Sequence, residues 1–235
     1  MVYVDEKGEK KYCWQVCTGN GARYLVAVIS IHGDERGLVL PPRIAPIQVI
    51  IIPIHIGRKD VLEEAFRVKE YLEKSGVRVQ VDDRSDITPG EKFHIWDIKG
   101  VPIRIEVGAR ELEQGVYTVY RRDLKVRTVV VKDKLLEHVT RLLKEEIPRA
   151  LYNRAKEFYA SKIRYFEDLD VALEWILKGG VAKANICESR ECYETIMSLE
   201  KAVEPIGYLY EEERSHKCIV CGKPTSKLTL FGKVY

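Results

Sequence analysis

At 235 residues the chain is long enough for one or two ordinary domains, or three small ones. It is 46% apolar and 32% charged, which supports buried cores and a globular protein. Lysine plus arginine total 39 against 36 aspartate plus glutamate, and the net +3 excludes a histone-like polycation and an acidic solvating tail. Any nucleic-acid binding must therefore come from local clustering of charge. The polar start, MVYVDEKGEK, has no apolar run of the secretory type. The longest apolar stretch, Ile44 to Ile56, is broken by prolines and is too short to span a bilayer. These features predict a cytoplasmic chain with no membrane partner, whose cysteines are thiols or metal ligands before they are disulfides.

In chain order, the first zone, residues 1–45, holds one apolar run, Tyr24 to Ile31, which reads as a strand between GNGAR and HGDERG. Pro41-Pro42 cannot continue a ladder, so a domain boundary is expected near 41–46. Residues 46–150 alternate in a β/α rhythm. Gln48 to Ile54 is a strand of mid-sheet character, with Pro53 at its end or at a bulge. Val61, Leu62, Ala65, Phe66, Val68, Tyr71 and Leu72 recur at helical spacing before the stop Ser75-Gly76. A short strand over 77–81, a helix from Pro89 through Trp96, and strands over 101–107, 115–121 and 126–131 follow. Leu135, Leu136, Val139, Leu142, Leu143 and Ile147 define a closing helix. This is a mixed α/β layer fold. Residues 151–235 form a third zone, with an amphipathic helix near 168–178 that Gly179-Gly180 ends.

Four cysteines lie beyond that helix. Cys187 and Cys192 form one close pair, and Cys218 and Cys221, followed by Gly222, form another. Two such pairs suit one tetrahedral four-thiolate metal site, structural because no position is left open for water. The competing reading is four cysteines buried as small hydrophobes, and His216 is a weaker substitute ligand. Cys13 and Cys17 have no nearby metal partners and read as buried or pocket-lining thiols. Gly19-Asn-Gly-Ala-Arg23 sets a flexible backbone before an arginine, which suits a nucleotide or a plain surface turn. Residues 99–132 carry eight basic side chains against four acidic ones, a sheet face basic enough to track phosphates or else a solvated face.

Three blocks in order resemble one family. Trp14 to Arg23 with Ile31 to Val49 resembles the motif 3 region of prolyl-tRNA synthetase of the archaeal and eukaryotic type. Asp82 to Arg84, Thr88 to Phe93 and Trp96 to Arg110 are similar to its anticodon-binding domain. The four-cysteine spacing and the ending Phe231 to Tyr235 are similar to its C-terminal zinc domain. The resemblance implies a remnant of the class II antiparallel sheet over 1–45, a mixed five-stranded α/β anticodon-binding domain over 46–150, and a small α+β zinc domain over 151–235. It implies ligation of L-proline to its tRNA through prolyl-adenylate, with ATP and magnesium as substrate and one structural zinc held by Cys187, Cys192, Cys218 and Cys221.

By the same resemblance, Arg23 is the catalytic arginine lying along ATP, with Gln15 and Gly21 beside the nucleotide. Cys17 and Gly19 line the proline pocket, and the carboxylate of Tyr235 points toward the site. Arg84, Lys92, Arg104, Glu106 and Arg110 are expected to contact tRNA. Cys17 stands where relatives have serine and Thr18 where they have tryptophan, and a thiol is the weaker hydrogen-bond partner for proline. Residues 1–12 carry neither motif 1 nor motif 2, so the chain reads as the C-terminal half, partnered by an N-terminal catalytic half or a homodimer mate. Two readings stay open: part of a proline–tRNA ligase, or a tRNA-binding accessory module without chemistry of its own.

Overall fold

The computed structural model describes residues 2–14, 16–19, 21–54, 57–199 and 203–234. The chain divides between Leu151 and Tyr152 into two compact units. No helix among the described residues is long and apolar enough to cross a membrane.

In the first unit, β1 (Val2–Val4) and β2 (Lys10–Tyr12) form a small antiparallel hairpin, the only sheet that the described residues of 1–45 contribute. The expected class II sheet remnant is therefore reduced to two exposed strands. The run expected as a strand is instead a helix, α1 (Arg23–His32), none of whose residues is buried. An unbroken apolar run carries no period that separates strand from helix. With no neighbouring strand to answer its N–H and C=O groups, a helix satisfies them internally. Cys13 and Cys17, expected as buried or pocket-lining thiols, are both exposed.

The remainder of this unit follows the predicted rhythm. It comprises β3 (Val49–Pro53), α2 (Lys59–Glu73), β4 (Val79–Val81), α3 (Pro89–Ile98), β5 (Ile103–Val107), α4 (Ala109–Gln114), β6 (Val116–Arg121), β7 (Val126–Val131) and α5 (Leu135–Arg141). The strands form one mixed sheet in the order β4-β3-β5-β6-β7. The first three are parallel, and β6 and β7 join antiparallel. β3 is buried along its whole length. Period-2 alternation sends Val49 and Ile51 into a core shared with α2 and α5, while Ile50 and Ile52 meet Trp96 and Val101 on the α3 side. α3 starts where the sequence places it: Thr88 and Glu91 form a reciprocal capping box, and Pro89 opens the first turn.

The closing helix does not stop near Ile147. A π turn over Leu142–Glu146 leads into α6 (Ile147–Lys162). Pro148 lacks an N–H and its ring crowds the carbonyl four residues back, and the backbone widens there instead of breaking.

Segment 33–40 is laid against the sheet unit by backbone bonds. Leu38 N–H donates to Ile98 O at 2.9 Å and Leu40 N–H to Gly100 O at 3.1 Å. Gly100 sits at φ +70°, and a Cβ there would lie 2.5 Å from the Leu38 carbonyl, so both conformation and space call for glycine. A buried ion pair completes the attachment. Arg122, 1% exposed, grips Asp34 with both terminal nitrogens at 2.8 and 2.6 Å, and its Nε donates to Asp97 O at 2.9 Å. The Arg122 bond is the leading reason that Asp34 stays ionised well below the usual carboxylate range.

The second unit contains β8 (Ile163–Tyr165), α7 (Leu169–Leu177), β9 (Val181–Asn185), α8 (Arg190–Leu199), β10 (Val203–Lys217) and β11 (Pro224–Lys233). Its sheet has the order β10-β11-β9-β8, with β8 and β9 parallel and the other pairs antiparallel. Ala172, Ile176, Ala182, Ala184, Ile186, Ile196 and Phe231 make its core.

Arg122→Ala would leave Asp34 with Lys125 at 3.2 Å as its remaining cation and Asp97 O without its donor, and we expect a loss of about 1–3 kcal/mol in urea unfolding of the chain. An Arg122→Met, Asp34→Asn double variant removes both charges and should recover much of that loss. Equal destabilisation by the single and double variants would contradict this account.

Candidate functional site

The most structured polar surface of the first unit lies on the α3 side of the sheet. Strand register places Arg104 of β5, Tyr120 of β6 and Arg127 of β7 in one cross-strand row. Glu106, Thr118 and Val129 form the next row on the same face. α3 brings Phe93 and Asp97 down onto these rows at i and i+4 spacing. The Arg104 guanidinium lies between two rings, 4.0 Å from the centre of Phe93 and 4.1 Å from that of Tyr120. Its nitrogens reach Asp97 Oδ1 at 3.1 Å and Glu106 Oε1 at 3.0 and 3.1 Å, and Tyr120 Oη donates to Asp97 Oδ2 at 3.5 Å. Arg127 also meets Glu106, at 3.2 Å, while most of its side chain remains in solvent. Burial raises the Tyr120 phenol above its ordinary range, so it stays a hydrogen-bond donor at neutral pH.

This arrangement departs from the expected basic face. Of the eight basic residues over 99–132, six are answered by carboxylates: Arg104, Arg121, Arg122, Lys125, Arg127 and Lys132. Among the described residues only Lys99 and Arg110 lack a carboxylate partner in this segment, and Lys99 lies over Trp96. The Arg104, Arg127, Asp97 and Glu106 cluster is net neutral. Planar rings, guanidinium donors and carboxylate acceptors on one face suit base edges better than phosphates.

The five expected tRNA contacts separate accordingly. Arg104 and Glu106 stand in this cluster, although Arg104 is only 3% exposed. Lys92 is fully buried, donating to Asp82 O at 2.9 Å with Asp82 Oδ1 at 3.8 Å, so it does not face solvent. Arg84 is half-exposed and holds Asp82 at 2.6 and 2.8 Å. Arg110, exposed, opens α4. Arg84 and Arg110 stand beyond the carboxyl ends of β4 and β5, where open parallel sheets place ligands. Sequence reasoning does not single out Phe93, Asp97 and Tyr120 and counts Arg127 only as part of the basic segment, although strand alternation puts Tyr120 and Arg127 on the Arg104 face.

The residues expected around ATP and proline do not converge. Cys17, Gly19, Gly21 and Arg23 are exposed, and residues 16–19 have no regular structure. Arg23 opens α1 and has no hydrogen-bond or ion-pair partner among the described residues. Gln15 and Tyr235 lie outside the described residues.

In the second unit the cysteine pairs do come together. Cys187 follows β9, Cys192 lies in α8, and Cys218 and Cys221 occupy the turn between β10 and β11. Their sulfurs are all within 4.8 Å of one another, with Cys187–Cys192 at 3.4 Å, Cys187–Cys221 at 3.6 Å and Cys192–Cys218 at 3.9 Å. A tetrahedral ion with sulfur ligands at about 2.3 Å requires sulfur separations of about 3.8 Å. Four soft donors at that spacing fit zinc. The turn closes through Cys218 N–H to Lys223 O and Gly222 N–H to Cys218 O, and Gly222 takes φ +73°. Burial pushes the Cys192 thiol far up. At Cys218 burial also raises the pKa, but backbone N–H groups of Cys221, Cys187 and Val220 outweigh it and hold the thiol at about 7. His216 faces Glu167 at 3.5 Å and is not part of the group.

The chain is similar to known proteins over its whole length. Residues 48–142 match the family described as the anticodon binding domain. Over its whole length the chain is similar to the C-terminal half of proline–tRNA ligases. It is 38% identical over 241 residues to the enzyme of Thermofilum pendens, covering 100% of the chain and 50% of that protein. Against the enzyme of Methanothrix thermoacetophila it is 38% identical over 239 residues, with 100% and 49% covered. A solved prolyl-tRNA synthetase from Cryptosporidium parvum, complexed with L-proline and AMP, superposes with a TM-score of 0.88 at 35% identity. That match covers 100% of this chain and 51% of the other. The chain spans about half the length of the curated relatives it matches.

Asp82 offers a pH test of how firmly α3 is seated. Burial raises its pKa, but bonds from Arg84 and Trp96 and the charge of Lys92 outweigh that and bring it to about 2. The free carboxyl titrates near 3.8, so the stabilisation is fully present above that pH and is lost as pH falls toward 2. The difference amounts to about 2 kcal/mol. Asp82→Asn should be less stable than wild type at pH 7, with a gap that closes between pH 4 and 2 in urea titrations. A gap independent of pH would reject the assignment.

Proposed function

We propose that these residues work as the C-terminal half of a proline–tRNA ligase, joining L-proline to its tRNA at the expense of ATP through prolyl-adenylate. The observation that carries this reading is the similarity over the full chain to the C-terminal half of such enzymes, together with the base-sized polar face on the domain that matches anticodon readers.

On this reading the anticodon of the proline tRNA docks over α3, β5, β6 and β7. The half-buried Phe93 supplies the planar surface on which a base stacks, and the buried Arg104, clamped between it and Tyr120, backs its ring. Glu106 and Asp97 accept from base amino groups, and Arg127 donates. Arg84 and Arg110 meet the backbone at the carboxyl edge of the sheet, and Lys92 acts indirectly by holding Asp82. Arg104 cannot be displaced without breaking two ion pairs and two ring contacts, so the face is formed before RNA arrives. Cys187, Cys192, Cys218 and Cys221 hold one zinc ion, which supplies folding energy and no chemistry to the ligation.

The ligation site itself is composite. Arg23, Gln15 and Gly21 address ATP with its magnesium, Cys17 and Gly19 address proline, and the Tyr235 carboxylate completes the arrangement. All of these need walls from an N-terminal catalytic half or a homodimer partner, in the cytoplasm where tRNA is charged. The surface of α1 supports this. It is apolar on every side and exposed at Tyr24, Leu25, Val26, Ile29 and Ile31, whereas helices of that composition are normally buried. Arg23, once enclosed, would lie along the nucleotide and offset charge developing on the phosphates.

A second reading, a tRNA-binding module without chemistry, is favoured by one observation: the described ATP and proline residues, Cys17, Gly19, Gly21 and Arg23, are all exposed. Proline-dependent pyrophosphate exchange separates the two. The 235-residue chain alone should be silent. Supplied with an N-terminal half of the relatives' type it should become active, and Arg23→Ala should then cost about 10²–10³ in rate. Silence in both conditions favours the module.

RNA binding tests the part the readings share. The chain should prefer a tRNA with the proline anticodon over the same tRNA with that anticodon replaced, by about 1–3 kcal/mol for each base read. Phe93→Ala and Arg127→Ala should erase most of that preference while leaving weak, salt-sensitive binding. Equal affinity of wild type for both tRNAs would overturn the assignment of this face.

A further inference from the structure

The two cysteine pairs belong to separate elements, one on the β9–α8 connection and the other on the β10–β11 turn. Beyond the pairing of β9 with β11, one buried side chain ties the two segments together. Asn185, 1% exposed, ends β9 two residues before Cys187. Its Nδ2 donates both to Arg214 O on β10 and to Thr225 O on β11, the latter at 3.2 Å. These acceptors stand four residues before Cys218 and four after Cys221, on the two arms of the hairpin that carries the second pair. Its Oδ1 accepts from Tyr165 Oη of β8 at 2.9 Å, and its own carbonyl accepts from Ile219 N–H at 2.8 Å, inside the cysteine turn.

Both N–H groups of the amide and its oxygen are thus engaged, and they join the strand bearing Cys187 to both arms bearing Cys218 and Cys221. Resting on the zinc reading above, we propose that Asn185 is the positioning residue of the metal site. It fixes the distance between the two thiolate pairs, so that the ion meets four sulfurs already near tetrahedral spacing.

The chemistry of the side chain specifies asparagine. Aspartate would retain the bond from Tyr165 but would face the Arg214 and Thr225 carbonyls with lone pairs, and it would add a negative charge beside four thiolates. Alanine removes the donor to the Arg214 and Thr225 carbonyls and the acceptor of the Tyr165 hydroxyl. Preorganisation of this kind appears in metal affinity, because a loose site must be ordered by the ion itself.

The test uses the 235-residue chain, its zinc stoichiometry, and competition against a coloured chelator. Wild type should bind one zinc. Asn185→Ala and Asn185→Asp should bind about 10–100-fold more weakly. Tyr165→Phe, which removes one bond and keeps the amide, should release zinc faster than wild type but more slowly than either. A purely structural role would lower the thermal midpoint equally with and without metal. Positioning predicts a larger drop in the zinc-loaded protein than in the stripped one, and a change in the visible spectrum of the cobalt-substituted site. Should Asn185→Ala fail to fold when stripped, Tyr165→Phe gives the same comparison. Zinc affinities of all three variants within about threefold of wild type would overturn the inference. Absence of zinc from wild type, and from wild type titrated with zinc, would overturn the metal reading itself and the inference with it.

Discussion

A guanidinium removed from water needs partners for its N–H groups, and all three nitrogens of Arg122 find them by joining segments far apart in sequence. Its terminal nitrogens hold Asp34, and its Nε holds the carbonyl of Asp97 near the end of α3. Its own backbone N–H binds Pro102 O just before β5. The positive charge lies at the negative end of the α3 dipole, where it is favoured. Lys125, held in the left-handed region at φ +58° in the β6–β7 turn, adds a second cation to Asp34 at 3.2 Å. One ion pair therefore fixes the N-terminal segment, the far end of α3 and the β6–β7 hairpin together. Losing either partner leaves a buried charge, which costs more than the pair itself contributes.

The candidate RNA face inherits its shape from this constraint. Asp97 is the junction: its carbonyl is held by Arg122, and its carboxylate turns the other way to Arg104 and Tyr120. At the other end of the same helix the Thr88 capping box and the Asp82, Lys92 and Trp96 contacts fix the first turns. Phe93 stands between these anchors, so its ring is placed by interactions that do not involve RNA. A reading face built this way loses little conformational entropy on binding, since the side chains that would otherwise be ordered are already held.

How much of this was legible in the sequence follows from where each signal resides. Strand alternation from Val101 to Val107, the capping residues of α3 and the glycine stops are local, and the structure follows them. The cysteine pairs were legible because metal spacing is also a local pattern, and the folded chain brings all four sulfurs together. Charge was misread because a count along 99–132 is local while its neutralisation is not. Arg122 finds Asp34 88 positions away, and Lys132 finds the buried Glu64. The run Tyr24 to Ile31 was misread for a related reason. Its apolar residues fit a strand or a helix equally, and the choice depends on partners that residues 1–45 do not contain.

The neutralisation of the basic segment also bears on how recognition divides its work. A face with unpaired lysines and arginines would bind any RNA through phosphates, with affinity falling steeply in salt and no preference among anticodons. Pairing Arg104 with Asp97 and Glu106 removes that indiscriminate attraction and leaves directional donors, acceptors and ring faces. The exposed cations without carboxylate partners, Arg110 above all, stand apart from the cluster, at the edge of the sheet. On the proposed function, backbone attraction and base reading fall to different residues. That separation lets a protein hold RNA weakly by its charge and discriminate by its bases, because a wrong base leaves the remaining lone pairs of Glu106 or N–H groups of Arg127 desolvated without a base partner while the phosphate contacts stay the same.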